Sequence, residues 1–134
     1  MMIVENIIKL LRWFEVKILL SECPANILFK EGEIWWCEVG INVGVEIYGK
    51  GELFSRPILI IKKLSKDFLI GVPLTSKKKE GSWFASVIYN EKEGTAVLSQ
   101  VRAFDGRRLI SRIGVLSETH FAEVKAVFYD LLCR

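Results

Sequence analysis

The chain has 134 residues, 51% of them hydrophobic and 26% charged, with a net charge of +3. That composition excludes a disordered chain, and a chain of this length buries enough surface to fold without a disulfide or a metal. The charge is uneven: residues 1–49 hold four Lys/Arg against seven Asp/Glu, whereas residues 50–112 hold thirteen against six, so the middle of the chain is basic and fits a polyanionic partner as well as an ordinary solvated surface.

In chain order, residues 4–20 predict a helix, because Val4, Ile7, Ile8, Leu11, Phe14 and Ile18 repeat at the spacing of one apolar face. Five charges within residues 3–20 exclude a simple membrane span, and no secretory leader is read there. Packing of this helix on its own domain is the ordinary outcome; oligomerisation through it is the alternative. Pro24 stops the helix. Residues 33–39 (EIWWCEV) predict a strand with its two tryptophans on opposite faces. Residues 40–55, with four glycines, predict a long loop, a kind of segment that often carries function.

Strands are expected at 57–63 and 68–74, joined by a polar turn at Ser65–Asp67, with Pro57 tolerated only as a strand opener. A basic loop follows at 75–82 (TSKKKEGS). Residues 83–89 and 95–101 predict a hairpin about an Asn90–Gly94 turn. Asp105 reads as the cap of a helical turn, residues 113–116 as a short strand, and Ser117 as the cap of a last helix with Phe121, Val124, Phe128 and Leu131 inward. The order helix, about five antiparallel strands, helix is an α+β fold built on a small curled sheet or barrel.

The side chains available limit the chemistry. A single histidine, His120, rules out a two-histidine acid/base mechanism, and in the first turn of a helix it reads as a surface or capping residue. The three cysteines (Cys23, Cys37, Cys133) are odd in number and lack C-x-x-C spacing. That argues against a disulfide framework and a zinc site, and for a reducing cytoplasm. No metal or other cofactor is expected. There is no Walker-type phosphate loop and no nucleophile elbow. What remains is Arg56 at the start of one strand and Thr75-Ser76 at the end of the next. An antiparallel pair with a short turn puts these ends side by side. A guanidinium beside a hydroxyl suits a phosphodiester oxyanion. The alternative is structural, with Arg56 paired to Glu46 or Asp105. Lys77, Lys78 and Lys79 in the adjoining loop are placed to contact phosphates.

The ordered elements G-E-I-W at 32–35, G-V-E at 44–46, R-P-I-L-I at 56–60, P-L-T-S at 73–76, S-Q-V-R at 99–102 and D-G-R-R-L at 105–109 resemble the MazF/PemK family of toxins from toxin–antitoxin systems, over roughly residues 30–132. The resemblance implies a small SH3-like antiparallel β-barrel at residues 27–134, carrying a C-terminal helix. It also implies a homodimer, a cognate antitoxin protein as partner, and metal-independent, sequence-selective cleavage of single-stranded RNA to a 2′,3′-cyclic phosphate and a 5′-hydroxyl. By the same resemblance Arg56 and Thr75 are catalytic, and Glu46 and Gln100 fall on positions of the family's site; with Ser76, Lys77, Lys78, Lys79 and Arg102 they are the expected RNA contacts. Residues 1–26 form a helical extension beyond the shortest members. Many members have Gly-Ser-Glu where this chain has Gly44-Val45-Glu46, so one backbone-contacting hydroxyl is lost. A non-catalytic small barrel that binds RNA or an antitoxin is the competing reading.

Overall fold

The structure is a computed structural model that describes residues 2–24 and 26–133. Helix α1 (Met2–Glu22) precedes strands β1 (Glu33–Glu38), β2 (Ser55–Ser65), β3 (Phe68–Thr75), β4 (Phe84–Tyr89), β5 (Lys92–Val97), β6 (Arg102–Asp105) and β7 (Leu109–Val115), and helix α2 (Glu118–Cys133) ends the fold. All pairings are antiparallel, in the order β4-β5-β3-β2-β1-β7, with β6 on β3. The path stays open at β4 and β7, so the expected curled sheet is present without a closed barrel. The first half of β3 (68–71) pairs with β6 and its end (74–75) with β5, which splits the sheet there into two wings.

Ile58 to Ile61 explain themselves once both sheet faces are seen. Ile58 and Ile60 join Trp35, Cys37, Leu69 and Phe104 in one core; Leu59 and Ile61 join Ile34, Val72, Val87 and Leu98 in the other. Strand side chains alternate in direction, so a strand buried on both faces reads as a continuous apolar run. Phe29 fills the first core, and α2 closes the second through Val124, with Phe121, Phe128 and Leu131 packed behind it as the sequence predicts. The helix is capped by Ser117, whose hydroxyl accepts from the His120 N–H at 3.2 Å. His120 itself accepts from the Ile88 N–H through Nε2 at 3.2 Å, tying α2 to β4.

Four sequence expectations need correction. Among the described residues there are seven strands, not about five. The late strand stops at Val97; Leu98–Gln100 is a 3-10 turn and Arg102–Asp105 is a separate strand. The hairpin turn is tighter than Asn90–Gly94: β4 and β5 pair up to Tyr89↔Lys92, and Asn90 and Glu91 both take positive φ (49° and 62°), the two-residue turn that matches strand twist. The fourth concerns α1. Its predicted inward stripe (Val4, Ile7, Ile8, Leu11, Phe14, Ile18) is exposed, and the helix docks by its other side through Trp13, which is 7% exposed. Trp13 packs edge-on against Phe54, with ring centroids 5.7 Å apart, and beneath the Arg108 guanidinium at 5.5 Å. Gly40 makes room for it: at φ +81° a methyl there would overlap the indole.

Asp105 caps the Gly106–Arg108 turn as read, accepting from the Arg107 N–H at 2.9 Å and forming an ion pair with the Arg107 side chain.

Candidate nucleic-acid site

Pro57 lies opposite Trp36 of β1, and β2 meets β3 at Ile58↔Pro73. Two residues farther out on each strand, Arg56 and Thr75 line one cavity of about 590 Å³. The strand-end juxtaposition expected from the short β2–β3 turn is therefore present. Arg56 Nε donates to the Tyr48 carbonyl at 2.8 Å and Nη1 to the Leu74 carbonyl at 3.3 Å, and the guanidinium lies 5.7 Å from the Tyr48 ring centre. Of the five N–H donors of an arginine, three remain uncommitted. Burial lowers its pKa below the ordinary arginine value.

The structural alternative for Arg56 does not hold. Glu46 accepts instead from the Val43 N–H at 2.7 Å, and Asp105 is taken by Arg107. Thr75 Oγ1 accepts from the Lys77 N–H at 3.3 Å, a local turn that fixes the oxygen and leaves the hydroxyl proton free to donate. Ser76 and Lys77 line the same cavity. Lys78 and Lys79 line an adjoining one of about 290 Å³, which shares Ser76, Glu93 and Gly94 with the first, so the two form a continuous groove.

The other predicted residues lie apart. Glu46, Gln100 and Arg102 line a third cavity, of about 290 Å³, with no lining residue in common with the first. Gln100 holds the loop after β1: its Oε1 accepts from the Ile47 N–H at 3.3 Å and its Nε2 donates to the Val45 carbonyl at 3.1 Å. Asn42 adds a bond of 2.6 Å to the Ile47 carbonyl. The Val45 side chain, 94% exposed, stands at the tip of that loop. Arg102 stacks over Phe104 at 4.5 Å.

Sequence reasoning missed several walls of the Arg56 cavity. Trp36, Tyr89, Lys50, Lys92 and Glu93 all line it. Trp36 is 41% exposed while its neighbour Trp35 is 8% exposed, as strand alternation predicts for the pair. The signal for Trp36 was thus present in the sequence. Tyr89, Lys92 and Glu93 arrive only through the pairing of β3 with β5. Lys50, Arg56, Lys77 and Lys92 set four cations against the single carboxylate of Glu93, a balance suited to a phosphate backbone.

No curated protein sequence matches the chain. Similar solved structures include MazF from Deinococcus radiodurans, at 19% identity and a TM-score of 0.64, covering 81% of this chain and 100% of that one. A MazE-MazF crystal from the same organism matches at 17% identity and a TM-score of 0.60, covering 81% and 98%. An endoribonuclease in complex with its cognate antitoxin from a mycobacterial species matches at 12% identity and a TM-score of 0.60, covering 80% and 95%. At these identities the likeness establishes the shared fold. A family model for PemK-like, MazF-like toxins of type II toxin–antitoxin systems matches residues 30–132, more than three-quarters of the sequence, and the chain belongs to that family.

Proposed function

We propose that this toxin is a metal-independent endoribonuclease that cuts single-stranded RNA in the Arg56 cavity, acts as a cytoplasmic homodimer, and is restrained by a cognate antitoxin protein. Family membership and the antitoxin-bound relatives support the toxin and partner assignments. The observation that carries the catalytic reading is the meeting of Arg56 and Thr75 in one cationic cavity with an exposed aromatic wall. Residues 27–134 carry this activity, and residues 1–26 are an extension to it.

In this reading the RNA 2′-hydroxyl attacks the adjacent phosphorus, the P–O5′ bond breaks, and the products are a 2′,3′-cyclic phosphate and a 5′-hydroxyl. The uncommitted N–H groups of Arg56 stabilise charge on the phosphate oxygens by charge-assisted hydrogen bonds. Burial lowers the pKa of Arg56 and so eases proton donation toward the leaving oxygen. Thr75 donates its hydroxyl proton to the same phosphate. Glu93, the carboxylate lining this cavity, is assigned the proton of the 2′-hydroxyl. Trp36 and Tyr89 offer π-faces for the flanking bases, a contact worth roughly 1–3 kcal/mol per base. Ser76 and Lys77–Lys79 hold the backbone along the groove. Glu46, Gln100 and Arg102 meet the strand farther along.

The test is incubation of the purified protein with a long RNA in EDTA, followed by mapping of cut sites and end chemistry. A few discrete sites with cyclic-phosphate ends are expected. Intact RNA that the folded protein nevertheless binds would establish the non-catalytic binding module instead.

A further inference from the structure

Helix α1 turns its apolar stripe to solvent. Val4, Ile7, Leu11, Phe14 and Ile18 are 43–60% exposed. Their spacing is 3-4-3-4, the seam of a coiled coil, with Val4, Leu11 and Ile18 at a and Ile7, Phe14 and Ser21 at d. Ile3, Ile8 and Leu10 flank the seam and are also exposed. Trp13 falls at c, Val16 at f and Leu20 at c of the next heptad. Trp13 is buried and the other two are half-buried, so the helix rests on Gly40, Phe54 and the Gly106–Arg108 turn by the side opposite its seam. The seam and its flanks present on the order of 800 Å², far beyond the patch a monomer ordinarily exposes and close to one side of a specific interface.

We propose that this seam binds the same helix of a second copy, as a parallel two-stranded coiled coil. The charges select the orientation. In a parallel pair, Lys17 at g faces Glu22 at the e position of the partner's next heptad, and the pair is made twice. A lipid surface fits less well, because Glu15 and Glu22 flank the seam and would meet anionic headgroups. Docking through Trp13 and Gly40 holds the helix formed before it pairs, which removes most of the ordering cost that makes short isolated coiled coils marginal. Each copy's own fold packs behind c and f through Trp13, Val16 and Leu20, which leaves positions 4–18 of the seam open to a partner. The seam lies outside residues 30–132, so it adds an interface to whatever the toxin domain itself forms.

The test is sedimentation equilibrium of the full-length protein and of Leu11→Glu, with near-UV circular dichroism to show an unchanged fold. Leu11 is 59% exposed, so the substitution leaves the packed core untouched. Sedimentation over a range of concentrations is expected to show association weakened at least 100-fold in Leu11→Glu. Lys17→Glu should weaken association severalfold, and the swap Lys17→Glu/Glu22→Lys should restore it. Equal dissociation constants for wild type and Leu11→Glu would overturn the proposal, as would wild-type binding to anionic vesicles with no self-association. Failure of the charge swap to restore association would overturn the parallel arrangement.

Discussion

Arg56 Nε donates at 2.8 Å to the carbonyl of Tyr48, so the loop after β1 aims the guanidinium that β2 carries. An ammonium has no counterpart to this arrangement, because it lacks a second, fixed set of donors. Arg56→Ala is expected to lower RNA cleavage by at least about 10²–10³, the usual cost of losing one preorganised donor. Arg56→Lys should recover little of it. Single-turnover cleavage of a defined RNA measures both, with thermal melting as the control. Wild-type rates in a folded Arg56→Ala protein would remove Arg56 from the chemistry.

Thr75→Ala should cost less than Arg56→Ala, since a neutral hydroxyl makes a weaker hydrogen bond than a charge-assisted donor. Glu93→Gln should lower the single-turnover rate, since the amide cannot take the proton of the 2′-hydroxyl. A wild-type rate in the folded variant would leave that proton to solvent.

Replacing Lys77, Lys78 and Lys79 together with alanine should weaken RNA binding and make log Kd less salt-dependent, by a slope of about 2 for three lost phosphate contacts on a single strand. The cleavage motif should not change, because such contacts carry no base information. Titrations at several salt concentrations decide the point.

Much of this site was legible because its two central residues are fixed by local geometry: a proline that keeps Arg56 near the start of a strand, and a turn too short to let the next strand end elsewhere. The cavity walls were not legible for the opposite reason. Tyr89 and Glu93 reach it through β3–β5 pairing, which no local pattern announces. The Glu91 turn was hidden because a charged residue at positive φ is uncommon, and Gly94 drew the turn to itself although it lies within β5. β6 was missed because Arg102–Asp105 is four residues long and follows a 3-10 turn that continues the preceding apolar run. The helices were evident from periodicity, yet periodicity shows only that a face exists. One tryptophan seated over Gly40 reversed which side of α1 meets the sheet.

Gly40→Ala is expected to cost about 1–3 kcal/mol, since it strains a positive φ and displaces Trp13. Hydrogen exchange should show protection lost in α1 and retained in β2 and β3. Uniform loss across the fold would mean that α1 is integral to the sheet's stability.

Glu38 is 8% exposed, and one of its carboxylate oxygens has no hydrogen-bond partner. Burial raises its pKa above the ordinary 4.5, outweighing the attraction of Arg108. A raised carboxylate pKa means that the folded state takes up the proton more readily than the unfolded state. The group therefore opposes folding above its folded-state pKa, and that opposition fades as pH falls toward 4.5. Glu38→Gln should raise Tm by a few degrees at pH 7, and the gain should shrink at pH 4. A pH-independent difference would contradict this account. Cys37, fully enclosed and pushed up to about 12, should resist thiol reagents in the native state while the exposed Cys23 and Cys133 react.

The two-sided burial of β2 has a consequence for assembly of the sheet. Where one face of a strand is wet, a slip by one residue exposes its apolar set and is rejected. A slip along Ile58–Ile61 exchanges one aliphatic for another and meets no such penalty. Alignment must come from fixed marks. Pro57 offers no amide hydrogen to a misaligned neighbour. Gly71, the only glycine of β3, makes room for Ile58: a methyl there would stand 2.8 Å from Ile58 Cδ1. Gly71→Ala is thus a change that would leave composition and hydrophobicity intact while erasing the notch by which the two central strands find their alignment.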